Sequence, residues 1–245
     1  RYEPGMNAQL RDRLALEQAL REAIEAEAFE LHYQPKQMLA DGRIHSVEAL
    51  LRWRHPERGQ ISPAQFIPVA EDSGLIVPLG SWVLRAACAE ARRWQDAGLG
   101  PVRVAVNLSA EQIRRQDVVA TVRAALADTG LPPALLELEL TESLLVRDAD
   151  HALRMMTELR SLGVQLALDD FGTGYSSLAY LQRFPFDTLK IDRGFVADLS
   201  DSGSSLRIVE AVVRLAHGLG LRVVAEGVET EAQMAILRRV GCDEI

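Results

Sequence analysis

From Glu30 onward, short runs of β-forming residues alternate with segments of helical periodicity, and that alternation leaves few architectures open. The runs are Glu30 to Met38, Ile44 to Trp53, Val102 to Asn107, Leu135 to Glu139, Val164 to Asp169, Thr188 to Ile191 and Leu221 to Ala225. Helical stretches lie from Pro63 to about Ser73, from Gly80 to Ala97, over 111 to 127, 148 to 161, around Ser176 to Gln182, and over 204 to 218 and 230 to 239. Strand-then-helix repetition predicts a parallel sheet wrapped by helices, and 245 residues suit a single α/β barrel. Seven strands are read directly, and the segment from Cys242 is the place for an eighth. Only a turn at Ala40-Asp41-Gly42 separates the first two runs, so the barrel is expected to begin with an antiparallel pair. Arg54 to Ser62 reads as a polar loop. Ahead of the barrel, residues 7 to 28 carry Leu10, Leu14, Leu16, Leu20 and Ile24 among charges, the pattern of a capping helix or of a connector from an upstream domain.

An apolar share of 48% is enough for a full core, yet no apolar run reaches membrane-span length. Twenty-seven basic residues against 35 acidic ones give a formal charge of -8, which argues against binding of DNA or RNA polymers. An anionic substrate would have to be held by local cations. Cys88 and Cys242 lack a CxxC partner, and His32, His45, His55, His151 and His217 show no ligand spacing. Zinc chemistry and a structural disulfide are therefore disfavoured, and a reducing compartment is expected. The N-terminus lacks the apolar core of a signal peptide, and a chain running from Arg1 to GCDEI reads as an excerpt from a longer protein.

Chemistry is expected where the strands stop. The stretch VQLALDDFGTGYSS, Val164 to Ser177, places Asp169 and Asp170 at a strand's C-terminal mouth. Adjacent strand residues face opposite ways, so both carboxylates reach one bore only if the strand is already ending there. The other ends contribute Gln34, Glu48 and Arg52, Asn107, Glu139 and Glu142, Lys190 and Asp192, and Glu226 and Glu229. Solvated acids belong mainly on helix outer faces, so a set phased to the strand ends points to a site, while salt links to Lys190 or Arg52 would account for individual members. Carboxylates crowded together repel one another and need bound cations to stay charged. Glu, Asp and an Asn carbonyl suit Mg²⁺ or Mn²⁺, and two such ions are the usual equipment for phosphodiester hydrolysis. Lys190 would orient water or neutralise developing charge, and the Arg52 fork would take a phosphate oxygen.

These residues resemble the EAL-domain phosphodiesterases that hydrolyse cyclic di-GMP. The name-giving tripeptide is Glu48-Ala49-Leu50. NLS at Asn107, ELTES at Glu139, DDFGTGYSSL at Asp169, LKID at Leu189 and AEGVET at Ala225 follow in order. The resemblance implies a modified (β/α)8 TIM barrel with an antiparallel first strand, occupying residues 29 to 245. It implies that Glu48, Asn107, Glu139 and Asp169 hold one Mg²⁺ or Mn²⁺. Asp169 and Asp170 would share a second, Glu226 would assist, and Lys190 would contact the attacking water. Gln34, Leu51, Arg52, Asp192 and Glu229 would surround the nucleotide, and Glu142 would anchor the loop from Phe171 to Ser177. Residues 1 to 28 would be the connector from an upstream GGDEF domain, with sensory or membrane parts elsewhere, and a segment beyond Ile245 would complete the last strand and helix. A homodimer in the bacterial cytoplasm, or the cytoplasmic part of a membrane-anchored protein, is implied as well. The alternative within the family is a receptor that binds cyclic di-GMP without cleaving it. Such relatives usually lose metal ligands, and none is missing here.

Overall fold

The computed structural model describes residues 4–142, 144, 148–172, 178–200 and 203–245. Strands β1 (Phe29–Gln37) and β2 (Ile44–His55) pair antiparallel. β3 (Gly59–Ile61) folds back on the end of β2, so part of the expected polar loop is a hairpin: Trp53 faces Ile61, and both are buried. From β2 the sheet runs parallel through β4 (Arg103–Leu108), β5 (Leu136–Thr141), β6 (Gln165–Phe171), β7 (Thr188–Ile191) and β8 (Arg222–Ala225). Residues 242–245 then join the two edges. Glu244 bridges Val224 in parallel and Met38 antiparallel, and Gln37 and Ile245 exchange backbone hydrogen bonds of 2.8 and 2.9 Å.

The helices lie outside. They are α1 (Pro4–Glu25), α2 (Pro63–Ser73), α3 (Ile76–Asp96), α4 (Ala110–Arg115), α5 (Val118–Thr129), α6 (Ala149–Ser161), α7 (Leu178–Arg183), α8 (Arg193–Ala197), α9 (Ser204–Gly218) and α10 (Glu231–Val240). Two boundaries differ from expectation for identifiable reasons. The stretch expected as one helix over 111 to 127 is two, because Gln116 is extended and the Asp117 carboxylate accepts the Ala120 N–H at 2.9 Å, starting a new helix. The helix expected to open at Gly80 opens at Ile76, and Gly80 sits inside it against Gln112, where a Cβ would fall 1.9 Å from the Gln112 amide nitrogen. Gly80 is there for close helix packing rather than for a helix end.

Strand β5 displays the logic of the barrel in six residues, LELELT. Leu136, Leu138 and Leu140 join the main apolar cluster with residues of the surrounding helices, such as Val122 and Met156. Glu137 and Glu139 alternate with them and are equally buried, so they occupy the bore. Barrels of this kind usually fill the bore with branched aliphatic side chains. Here it holds charge. A second cluster, with Phe29, Trp53, Phe66 and Leu79, seats α1 through Leu20, which is fully buried.

Candidate active site

The charged bore is layered. At one end Glu137 meets Arg103 and Arg222 at 3.6 and 3.7 Å, and Arg222 also reaches Glu244 at 3.2 Å. Above it Lys36, buried on β1, donates to Glu137 Oε1 at 2.8 Å and to Glu139 Oε1 at 2.7 Å. The other oxygen of Glu139 receives Lys190 Nζ at 2.6 Å. Lys190 then touches Glu226 at 2.7 Å, Asp169 at 3.1 Å and Glu48 at 3.4 Å. One buried ammonium is thus surrounded by four carboxylates.

Asp170 joins them by an irregularity that the alternation argument did not anticipate. Strand β6 does not end at Asp169 but continues to Phe171, with a register slip between Leu168 and Phe171 against β7. Asp170 occupies the slip with φ of 55°, a left-handed conformation that a non-glycine residue adopts at a cost. The result is that Asp169, Asp170 and Glu226 each present a carboxylate oxygen within 4.8 Å of one another. Strained backbone of this sort gathers at functional sites.

The electrostatics follow from burial and from this excess of negative charge. Burial raises the Glu139 pKa to about 7, and its neighbours Glu48 and Asp169 reinforce burial against the two lysines. Burial likewise raises Glu226 and Asp170, each with Asp169 adding to the effect. Burial opposes the charge on Lys190, but Glu139, Glu48, Asp169 and Glu226 outweigh it and hold its pKa well above the ordinary value. For Glu48, too, burial is outweighed, by Lys190 and by the Asn107 amide that donates to it at 2.8 Å, and its pKa is lowered. That bond uses the Asn107 nitrogen and leaves its carbonyl oxygen for another partner. Four carboxylates around one lysine, with Asp170 beside Asp169 and Glu226, form a hard-oxygen set that a divalent cation would satisfy.

Not every member sits at a strand end. Glu48 is the fifth residue of the twelve in β2, opposite Gln34 of β1, because β2 runs on into the hairpin with β3. Glu139 is fully buried within β5. Gln34, Glu48, Lys190 and Glu226 line a cleft of about 660 Å³, a size suited to a small ligand. Leu50, two residues beyond Glu48 on the same strand face, lines it as well, whereas Leu51 lies on the opposite face and packs against both apolar clusters. Arg52 donates to the Leu51 carbonyl at 2.9 Å and makes no ion pair among the described residues. Asp192 caps α8 by accepting the Gly194 N–H at 2.8 Å, and its charge contributes to raising Asp170. Glu229 is exposed, and its backbone N–H bonds Gln233. Glu142 is buried and accepts the Gly172 N–H at 3.1 Å; the rest of the loop it was expected to anchor, residues 173–177, lies outside the described residues.

Sequence reasoning passed over Lys36, Glu137 and Arg193. A period-two count would have found the first two. Lys36 shares a strand face with Gln34, and Glu137 shares one with Glu139.

The family model that matches this sequence is the EAL domain, over residues 17–245. The chain belongs to the EAL domain family. It is 49% identical over its whole length to the bifunctional diguanylate cyclase/cyclic di-GMP phosphodiesterase MucR of Pseudomonas aeruginosa, covering 36% of that protein. It is 48% identical over 94% of its length to the cyclic di-GMP phosphodiesterase NbdA of the same organism, covering 29% of it. The EAL domain described here thus spans about a third of the curated relatives it matches. The solved complex of the MucR phosphodiesterase with cyclic di-GMP superposes with a TM-score of 0.90 at 50% identity, covering 94% of this chain and 93% of that one. Among the described residues no helix is long and apolar enough to cross a membrane.

Proposed function

We propose that this EAL domain hydrolyses one 3'-5' phosphodiester bond of cyclic di-GMP and releases linear pGpG. The observation that carries the reading is the convergence of Glu48, Glu139, Asp169 and Glu226 on Lys190, with Asp170 beside them, in a chain so similar to the MucR phosphodiesterase. Glu48, Asn107, Glu139, Asp169 and Asp170, assisted by Glu226, would hold two Mg²⁺ or Mn²⁺ ions, which when bound supply Lewis acidity and a more acidic water.

The chain's own residues do the rest. Lys190 is immobilised by its carboxylates, so its ammonium positions the attacking water by a charge-assisted hydrogen bond. The water oxygen bonds to phosphorus as the P–O3' bond breaks. One water proton passes to the acid cluster, where Glu226 beside Lys190 is placed to take it, and the same proton is handed on to the departing 3' oxygen, which leaves as a hydroxyl. Among the described residues Arg52 has no ion-pair partner, so its fork is offered to a phosphate oxygen, while Gln34 and Leu50 line the cleft and Asp192 and Glu229 would complete the nucleotide wall. Glu142 fixes the start of the loop through Gly172. In the whole protein, a GGDEF domain ahead of the connector, pairing of two copies and a place in the bacterial cytoplasm complete the reading.

Replacing the metal-binding Glu48 tests it. Glu48→Ala should still bind cyclic di-GMP in calcium but release no pGpG with Mg²⁺ or Mn²⁺. Undiminished release would contradict the assignment, and wild-type binding with no turnover would make the domain a receptor.

A further inference from the structure

Three cations line the cleft: Lys36, Lys190 and Arg193. The charges of the two lysines are already neutralised by carboxylates at 2.6 to 2.8 Å. Arg193 is different. It opens α8, its side chain is exposed, and it makes no hydrogen bond or ion pair with the described residues. Its backbone is nevertheless held firmly. Asp192 caps the helix from one side, and from the other Gly227 comes so near that a Cβ there would lie 2.6 Å from the Arg193 Cβ. Gly227 has φ of 70°, so glycine meets both the backbone conformation and the close approach at that point. This contact fixes Arg193 beside Glu226, at the edge of the acid cluster.

Resting on the proposed activity, we infer that Arg193 is a substrate-specificity residue that binds the phosphate not being cleaved. A cyclic dinucleotide is a dianion whose two phosphates lie on opposite sides of its ring. Only one of them can sit at the acid cluster. The other must lie elsewhere along the cleft, whose other charged residues are Glu48, Glu226 and the two carboxylate-paired lysines, and it needs a cation that is not already neutralised. An unpaired guanidinium on a fixed backbone supplies that, with fork geometry matched to phosphate. Arg193 does not touch the reacting atoms, so its contribution falls on binding rather than on bond breaking.

Arg193→Gln and Arg193→Lys separate this role from a general one. Cyclic di-GMP affinity is measured in calcium by titration calorimetry. KM and kcat are measured in Mn²⁺ for cyclic di-GMP and for bis(p-nitrophenyl) phosphate, which has a single phosphate. Arg193→Gln should weaken cyclic di-GMP binding and raise its KM by roughly ten- to a hundredfold, the worth of a charged hydrogen-bond pair. The loss in kcat/KM on cyclic di-GMP should exceed that on bis(p-nitrophenyl) phosphate at least tenfold, and Arg193→Lys should recover part of it. Equal losses on both substrates, or unchanged affinity in Arg193→Gln, would overturn the inference while leaving the proposed activity standing. A wild-type domain that neither binds nor cleaves cyclic di-GMP would overturn the activity, and this inference with it.

Discussion

Lys36 and Glu139 lie 103 positions apart in the chain and 2.7 Å apart in the bore, where Lys36 also holds Glu137. Lys36 therefore belongs to two layers at once. Below it is a structural set of Glu137, Arg103 and Arg222; above it is the acid cluster around Lys190. The same carboxylate that Lys36 steadies is the one whose second oxygen meets Lys190.

Removing Lys36 should therefore cost stability. Lys36→Met leaves Glu137 with the Thr188 hydroxyl at 3.3 Å and the longer contacts to Arg103 and Arg222, and breaking a buried pair typically costs about 3–5 kcal/mol. Urea unfolding should show a loss of that order, part of it restored by adding Glu137→Gln. A loss below about 1 kcal/mol would mean that water or the arginines already satisfy Glu137.

Glu139 predicts a pH dependence in the metal-free domain. Its pKa is raised to about 7 in the folded state by burial, against an ordinary value of 4.5. The folded state then retains a proton that the unfolded state releases, so this group's contribution to stability falls as pH rises from about 4.5 to 7 and is level outside that window. Unfolding in EDTA at pH 5 and pH 7, compared between wild type and Glu139→Gln, isolates the effect. Wild type should lose more stability than Glu139→Gln over that interval, by an amount on the order of a few kcal/mol. Parallel pH profiles would contradict the burial argument.

Much of this was legible in the sequence. Strand and helix order follow from hydrophobic periodicity, and the acids that meet at Lys190 stand at matching phases of successive repeats. Local competition hid other features. The Asp117 cap divides a continuous amphipathic stretch into α4 and α5, and the buried Trp53–Ile61 pair turns a polar-looking loop into a hairpin. Asp170 was expected in the site, and it is the way it gets there that the sequence does not display. Strict alternation assigns neighbouring residues to opposite faces, and only the left-handed backbone at Asp170 lifts that rule. The lower charge layer is only half legible: period-two spacing puts Lys36 on the face of Gln34 and Glu137 on the face of Glu139, but Lys36, Arg103, Glu137 and Arg222 come from four strands, and nothing along the chain announces their meeting.

The Gly172–Phe195 contact should behave as a coupled pair. Gly172 has φ of 99°, and a Cβ there would fall 2.5 Å from the Phe195 ring. Gly172→Ala should destabilise the domain by about 1–3 kcal/mol and lower turnover, because the Glu142 bond to the Gly172 N–H is displaced with it. Adding Phe195→Ala removes the collision but not the backbone cost. The double variant should therefore be more stable than the sum of the single losses in thermal melts. Strict additivity would show that the ring contact carries no energy.

The most direct measurement is the release of pGpG from cyclic di-GMP by the purified domain, followed chromatographically as Mg²⁺ or Mn²⁺ is titrated in after EDTA treatment. The account predicts no product in EDTA, saturable product formation with either ion, and loss of that activity in Lys190→Met with the fold retained. Turnover that persists in EDTA, or a folded domain that binds cyclic di-GMP yet releases nothing with either ion, would contradict it.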